Sequence, residues 1–177
     1  MEVITRHMES RPNFIQDNFA SLDMQTCDDW VQTLLVDATG HSVEWANYWL
    51  GKYGPNLIGE YIWVFDDDDI CVCKTFVEDL KRIVAEYNPD VIISREDANG
   101  IIPPDDLWMK EPRISRIGMG NFVVRREVWQ EYADSFWPKL AADYNFIRTI
   151  WDTGKYKWYW NDVLVHKIQQ VGRGRPE

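Results

Sequence analysis

The chain has 177 residues, 45% apolar and 27% charged, which suits one domain with a sizeable core. Its net charge of −10 argues against the broad basic footprint that non-specific nucleic-acid binding needs; a local cation or a few arginines can still reverse the field inside a cleft. No apolar run approaches the ~20 residues of a membrane span, and "MEVITRHMES" lacks the apolar centre of a signal peptide. Cys27, Cys71 and Cys73 cannot all pair and show no zinc spacing, so reduced thiols and a cytoplasmic setting are expected.

In chain order, "EVIT" reads as a first strand. "SRPNFIQDNFASLDMQ" reads as a helix, with Ser10 as its cap and Pro12 in its first turn. "VQTLLVD" is a second strand whose continuous apolar run predicts burial on both faces. "SVEWANYWL" follows as a helix and "EYIWVF" as a third strand. "KTFVEDLKRIVAEY" carries Phe76, Val77, Leu80, Ile83, Val84 and Tyr87 at helical spacing, with a charged opposite face. "NPD" breaks it before a fourth strand, "VIIS". Residues 95–120 hold Pro-Pro and Asn-Gly and read as a long loop of functional or mobile character. Then come a strand, "NFVVR", two helices, "REVWQEYADSFW" and "KLAADYNFIRTIWDT", and a last strand, "YKWYWNDVLVHKI". Strands alternating with helices predict an α/β layer with a mostly parallel central sheet flanked by helices.

The third strand runs straight into Asp66, Asp67, Asp68 and Asp69. Crowded carboxylates repel and are costly to bury unless they are paired or hold a metal. In open α/β sheets ligands bind beyond the carboxyl ends of strands, where these acids lie. Oxygen-rich clusters suit hard cations such as Mg²⁺ or Mn²⁺. Alternate residues share a face, so Asp66 and Asp68 can converge on one ion. Asp67 and Asp69 are then left for ribose hydroxyls, backbone capping or the start of the next helix. A solvated acidic turn is the plainer alternative.

"EYIWVFDDDD" resembles the D-x-D element of GT-A glycosyltransferases of the family 2 type. "ITR…RP", "SLDMQTCDDWVQTLLVD" and "GHSVEWAN" precede it in the matching order, and a weaker likeness runs from Gly118 to His166. The resemblance implies the GT-A nucleotide-diphospho-sugar transferase fold in a single domain. Residues 1–69 would form the nucleotide half, 95–120 the long loop, 121–171 the acceptor and catalytic half, and 172–177 a tail. It implies metal-dependent, inverting transfer from a nucleoside-diphosphate sugar, UDP- or GDP-linked, to a hydroxyl of an unknown acceptor.

The same resemblance implies the roles. Thr5, Arg6 and Asp37 would line the nucleotide pocket, with Asp66 and Asp67 beside them. Asp66, Asp68 and the late His166 would hold Mn²⁺ or Mg²⁺, and Asp143 would be the general base. Trp45 and Asn47 in "WAN" would lie near the donor, with core packing the alternative for Trp45; His41, which follows Gly40 and has no support from the resemblance, is expected at the surface or against the donor phosphates. Apart from the resemblance, Arg173 and Arg175 in "GRGR" would close over the diphosphate or form a solvated tail. Gly118 and Gly120 would let backbone approach the sugar or serve as turn residues. Ala38 after Asp37 and Ala142 before Asp143 depart from the acidic pairs common in the family. A second reading is a non-catalytic nucleotide- or glycan-binding member of the same fold, a subunit of a larger assembly; a homo-oligomer is a separate expectation. A third, disfavoured by the late position of the acidic run, is a metal-dependent phosphatase or nucleotidyltransferase.

Overall fold

The computed structural model describes residues 1–9, 12–38, 43–136 and 141–169. Ser10, His41, Arg173, Arg175 and the side chains of Pro12 and Trp45 lie outside the described residues. The strands are β1 (Glu2–Met8), β2 (Val31–Asp37), β3 (Tyr61–Val64), β4 (Asp69–Cys71), β5 (Val91–Asp97), β6 (Ile101–Ile102), β7 (Phe122–Arg125) and β8 (Trp158–Ile168). The helices are α1 (Pro12–Asp23), α2 (Val43–Tyr53), α3 (Phe76–Tyr87), α4 (Arg126–Tyr132) and α5 (Ala142–Asp152). None of the described helices is long and apolar enough to cross a membrane.

One eight-stranded sheet runs in the order β2-β1-β3-β7-β5-β8-β4, with β6 paired to β5. Parallel register joins β1 to β2 and β5 to β8 over seven residues each, and β1 to β3 over three. The antiparallel ladders, at β3–β7, β5–β7, β4–β8 and β5–β6, are each three residues or fewer. Parallel pairing therefore covers most of the register, as the alternating elements predict.

The period-two rule sorts the core. Ile62 and Val64 of β3 face one side, where they pack with Leu50, Trp129, Phe136, Phe146 and Ile150 from α2, the α4 region and α5. Tyr61 and Trp63 face the other side, with Leu22 of α1 and Phe76, Leu80 and Ile83 of α3. Helices thus cover both faces, and a central strand buried on both sides is apolar throughout. Helix α3 stops where Asn88 adopts a left-handed conformation, φ 46°, and returns its N–H to the Val84 carbonyl. The three cysteines are free thiols, and burial pushes Cys71 up to about 12.

Three sequence expectations are corrected. Strand β2 is not buried on both faces. It is the outermost strand beside β1, and Val31, Leu34 and Val36 are exposed. Asp69 does not lead into a helix but opens β4, whose pairing with β8 sets it, and α3 starts later, at Phe76. The segment 95–120 is less irregular than its composition suggests. Strand β5 continues to Asp97 and turns through Asn99 (φ 62°) and Gly100 (φ 132°) into β6. Arg95 then ties down the rest. Its guanidinium stacks on Trp108 at 3.9 Å, donates to the Pro103 carbonyl, and pairs with Asp105 and Asp162 at 2.9 and 2.7 Å.

Candidate functional site

Strands β1, β3, β5 and β8 end at one edge of the sheet, and the segment leading into antiparallel β7 begins there. A cavity of about 660 Å³ opens along that edge. Its wall at the β2 end is apolar, from Leu34, Leu35, Val36, Trp49 and Tyr53. Leu34 and Val36 thus owe part of their exposure to the cavity. Its middle carries Arg6, Asp37, Asn47, Asp66, Asp68 and Asp69. Glu96, Gly118, Gly120 and Asp143 complete the lining discussed here.

The structure resolves the crowding of the acidic run by giving its members separate tasks. Asp66 accepts two hydrogen bonds from Arg6, from Nε at 2.7 Å and Nη2 at 2.5 Å, in a forked pair. Arg6 Nη1 donates to Asn47 Oδ1 at 2.5 Å, which explains why Asn47 on α2 belongs to the site. Burial opposes the Arg6 charge, but Asp66 outweighs it, and the guanidinium is held protonated. Asp67 is fully buried. It accepts the Met8 N–H at 2.9 Å and faces His7 Nδ1 at 2.9 Å, so it braces the end of β1 and does not line the cavity. Asp69 accepts the Asp66 N–H at 3.0 Å. Burial first, then the charges of Asp66, Glu96 and Asp68, holds its carboxyl well above the usual range. The Asp68 carbonyl accepts the Gln169 N–H at 2.9 Å, while its side chain lines the cavity.

Of the other expected residues, Asp37 lines the cavity at the end of β2. Thr5 does not. It is fully buried and accepts a hydrogen bond from Gln32 Nε2 at 2.7 Å. Asp143 lies in the first turn of α5 and lines the cavity. Burial raises its carboxyl above the ordinary value, against the Tyr144 N–H and the Arg6 charge, which lower it. A half-wet carboxyl with raised proton affinity is chemically a base in waiting.

His166 is fully buried, edge-on to Trp63 and Phe65 at 6.0 and 5.9 Å, and does not line the cavity. Its neighbour is Glu96, with Nε2 and Oε2 3.3 Å apart. Sequence reasoning missed Glu96, because the strand was ended at Ser94; a carboxylate two residues further along a buried strand was the available signal. Gly118 and Gly120 make room for this pair. A Cβ on Gly120 would lie 2.2 Å from His166 Nε2, and one on Gly118 2.7 Å from Glu96 Oε2. The His166 ring is pinned by its aromatic neighbours, so Gly120→Ala should destabilise the fold by about 1–3 kcal/mol, read as a lower urea midpoint at unchanged slope.

Among the described residues no group of three or more His, Cys, Asp or Glu side chains is arranged to hold a metal ion. Asp66, Asp68 and His166 are not gathered into a cage, since Asp66 is taken by Arg6 and His166 stands against Glu96. The donor set still fits a hard cation of another kind. Mg²⁺-type ions take one or two carboxylates and complete their shell with phosphate oxygens and water. Asp68 with Asp66 offers those carboxylates, at a point where crowding already burdens Asp69.

No family model and no curated protein matches the chain. Solved structures do. TarS of S. aureus (residues 1–349), in complex with UDP-GlcNAc, superposes with a TM-score of 0.67 at 16% identity, over 97% of this chain and 59% of that one. The mannosyltransferase PcManGT from Pyrobaculum calidifontis, in complex with GDP-Man and Mn²⁺, gives 0.66 at 14%, over 98% and 57%. A197 from STIV gives 0.55 at 15%, over 91% and 81%. The chain thus spans less than three fifths of the TarS fragment and of PcManGT. At these identities the likeness is one of fold, and the fold is GT-A-like, that of glycosyltransferases.

Proposed function

We propose that this chain transfers a sugar from a UDP- or GDP-linked donor to an acceptor hydroxyl, with inversion. One observation carries the reading. In a fold shared with proteins that hold UDP-GlcNAc and GDP-Man, a single cavity joins an apolar wall to an acidic centre and to a carboxyl of raised proton affinity. On this reading Leu34, Leu35, Val36 and Trp49 cover the base and ribose, with Asp37 as a polar contact. Residues 1–69 then serve the nucleotide, 121–171 the chemistry, and 95–120 the sugar and acceptor rim.

Asp68, with Asp66, would hold Mn²⁺ or Mg²⁺, which when bound supplies positive charge that stabilises the departing diphosphate. Arg6 keeps Asp66 oriented and its guanidinium adds a fixed positive charge to the cavity. Asp143 takes the acceptor hydroxyl proton as that oxygen bonds to the anomeric carbon. The bond from that carbon to the diphosphate breaks in the same step, and the nucleoside diphosphate leaves. Attack opposite the leaving group inverts the centre.

The test is a thermal-shift panel of UDP, GDP, CDP and dTDP, each with and without Mn²⁺. A ligand that binds only the folded chain raises its melting temperature with occupancy. The expected result is a shift that needs both nucleotide and metal and that disappears in Asp68→Ala. Equal shifts in that variant would remove Asp68 from the metal site. Metal-dependent binding with no hydrolysis or transfer would favour the non-catalytic reading.

A further inference from the structure

Glu96 and His166 form a buried pair that the mechanism above does not use. Both are more than nine-tenths buried, yet Glu96 Oε2 and His166 Nε2, 3.3 Å apart, are not aligned for a hydrogen bond, and His166 Nδ1 makes none. Leaving such atoms unsatisfied costs stability, and a purely structural pair would be expected to satisfy them. The local backbone is also irregular. The β5–β8 register steps between Ser94 and Arg95 and again between Arg95 and Glu96, which sets Glu96 opposite His166. Such irregularities next to sites re-aim side chains. Here the step points a carboxylate into the cavity.

The nearest guanidinium in sequence, Arg95, is committed to Asp105, Asp162 and the Pro103 carbonyl. The glycines at 118 and 120 keep the space in front of the pair clear of side chains. With Oε2 turned to His166, the rest of the cavity-lining Glu96 side chain offers acceptor capacity that a ligand rich in hydroxyl donors would match.

The strand order says which part of a ligand that is. From β2 the sheet passes through β1, β3 and β7 to β5. The apolar wall is at β2, Arg6 at β1, the acidic turn after β3, and Glu96 on β5. A donor laid along this edge with its base at β2 and its diphosphate at β3 brings its sugar to β5.

We propose that Glu96 is the hydroxyl-reading residue of the transferred sugar, and that His166 is a positioning residue that fixes its carboxylate. This rests on the donor reading above, and the experiment separates the two. Calorimetry with Mn²⁺ compares UDP, GDP, UDP-GlcNAc and GDP-Man on the wild type, Glu96→Gln and Glu96→Leu. The wild type should bind one sugar nucleotide more tightly than its bare nucleoside diphosphate. Glu96→Leu should lose about tenfold or more of the sugar-nucleotide affinity, as for a lost hydrogen bond to a charged group. Its affinity for the bare diphosphate should stay within about twofold. Glu96→Gln should fall between, because it keeps the shape and one acceptor. Both variants should melt no lower than the wild type, since they relieve a buried carboxyl group that lacks a hydrogen bond at Oε2. His166→Gln, which keeps a polar group behind Glu96, should retain more sugar discrimination than His166→Leu.

Equal weakening of diphosphate and sugar nucleotide, or loss of the Mn²⁺ requirement in Glu96→Leu, would overturn the assignment. So would a wild type that gains nothing from the attached sugar, or a clear drop in melting temperature in Glu96→Gln. If the wild type binds none of the four, the donor reading itself fails and takes the sugar subsite with it.

Discussion

Replacing Asp143 with asparagine should lower kcat by about 10²–10⁴-fold, the usual contribution of a positioned acid or base. Donor affinity should change little, because the role proposed for the residue is on the acceptor proton. Wild-type kcat should fall as pH drops through the raised pKa of Asp143, since only the carboxylate can take a proton. The variant should lose that limb of the profile. Stability should move the opposite way. A carboxyl raised in the folded state costs nothing below its unfolded value, about 3.9, where both states are protonated. As pH climbs from there through the folded value, the unfolded chain ionises first, and the fold loses stability. Asp143→Asn removes that loss, so at neutral pH it should melt higher than the wild type while turning over far more slowly. A variant that is both less stable and fully active would contradict the assignment on both counts.

Phe146→Ala should cost about 3–5 kcal/mol, as for an aromatic ring removed from a filled core. Phe146 is fully buried on α5, one turn beyond Asp143. Its ring stacks on Phe136 at 4.2 Å and touches Trp129 at 4.8 Å and Phe122 at 5.8 Å. It therefore fastens α5 both to the α4 region and to the sheet. Against a typical stability of about 5–15 kcal/mol this is a large fraction. A domain of this size should melt roughly 10 °C lower, with a lower urea midpoint at nearly unchanged slope. Because α5 carries the proposed base, activity at temperatures below the transition should fall as well.

Much of the architecture was legible because buried strands and one-sided helices write themselves into apolar periodicity. Strands β1, β3 and β7 and helices α3 and α5 are of that kind. The misses have physical causes. Strand β4 has three residues and begins on Asp69, too short and too polar to leave a pattern; only its partner β8, far along the chain, makes it a strand. The outermost place of β2 is a property of the whole sheet, and its run of Leu34, Leu35 and Val36 serves a cavity wall as well as a core. Strand β5 looked finished at Ser94 because Arg95, Glu96 and Asp97 are charged, yet β6 and β8 flank them and the ladder continues.

The site was legible in part. A strand driving into four carboxylates marked the sheet edge along which the cavity opens, and Asp143, singled out by the resemblance of "LAADYNF", lines the same cavity. Which carboxylate does what depends on long-range partners. Asp66 turns to Arg6, and Asp67 turns to Met8 and His7. No local spacing encodes that division, and the Glu96–His166 pair depends on a register step that only the folded ladder has.

The bond from Gln169 to the Asp68 carbonyl has a bearing on how the molecule is made. The acidic turn leaves the ribosome roughly a hundred residues before the strand that fastens it, a long closure to await. Until β8 arrives, β4 has no strand to pair with among the described residues, and the turn is held only from the β1 and α1 side, through Arg6, Met8 and Asn18. A nascent chain halted at the exposed Gly154 bend should therefore carry the whole charged loop yet lack its ligand-ready shape. Supplying the missing C-terminal piece in trans would be a direct way to watch the latch close.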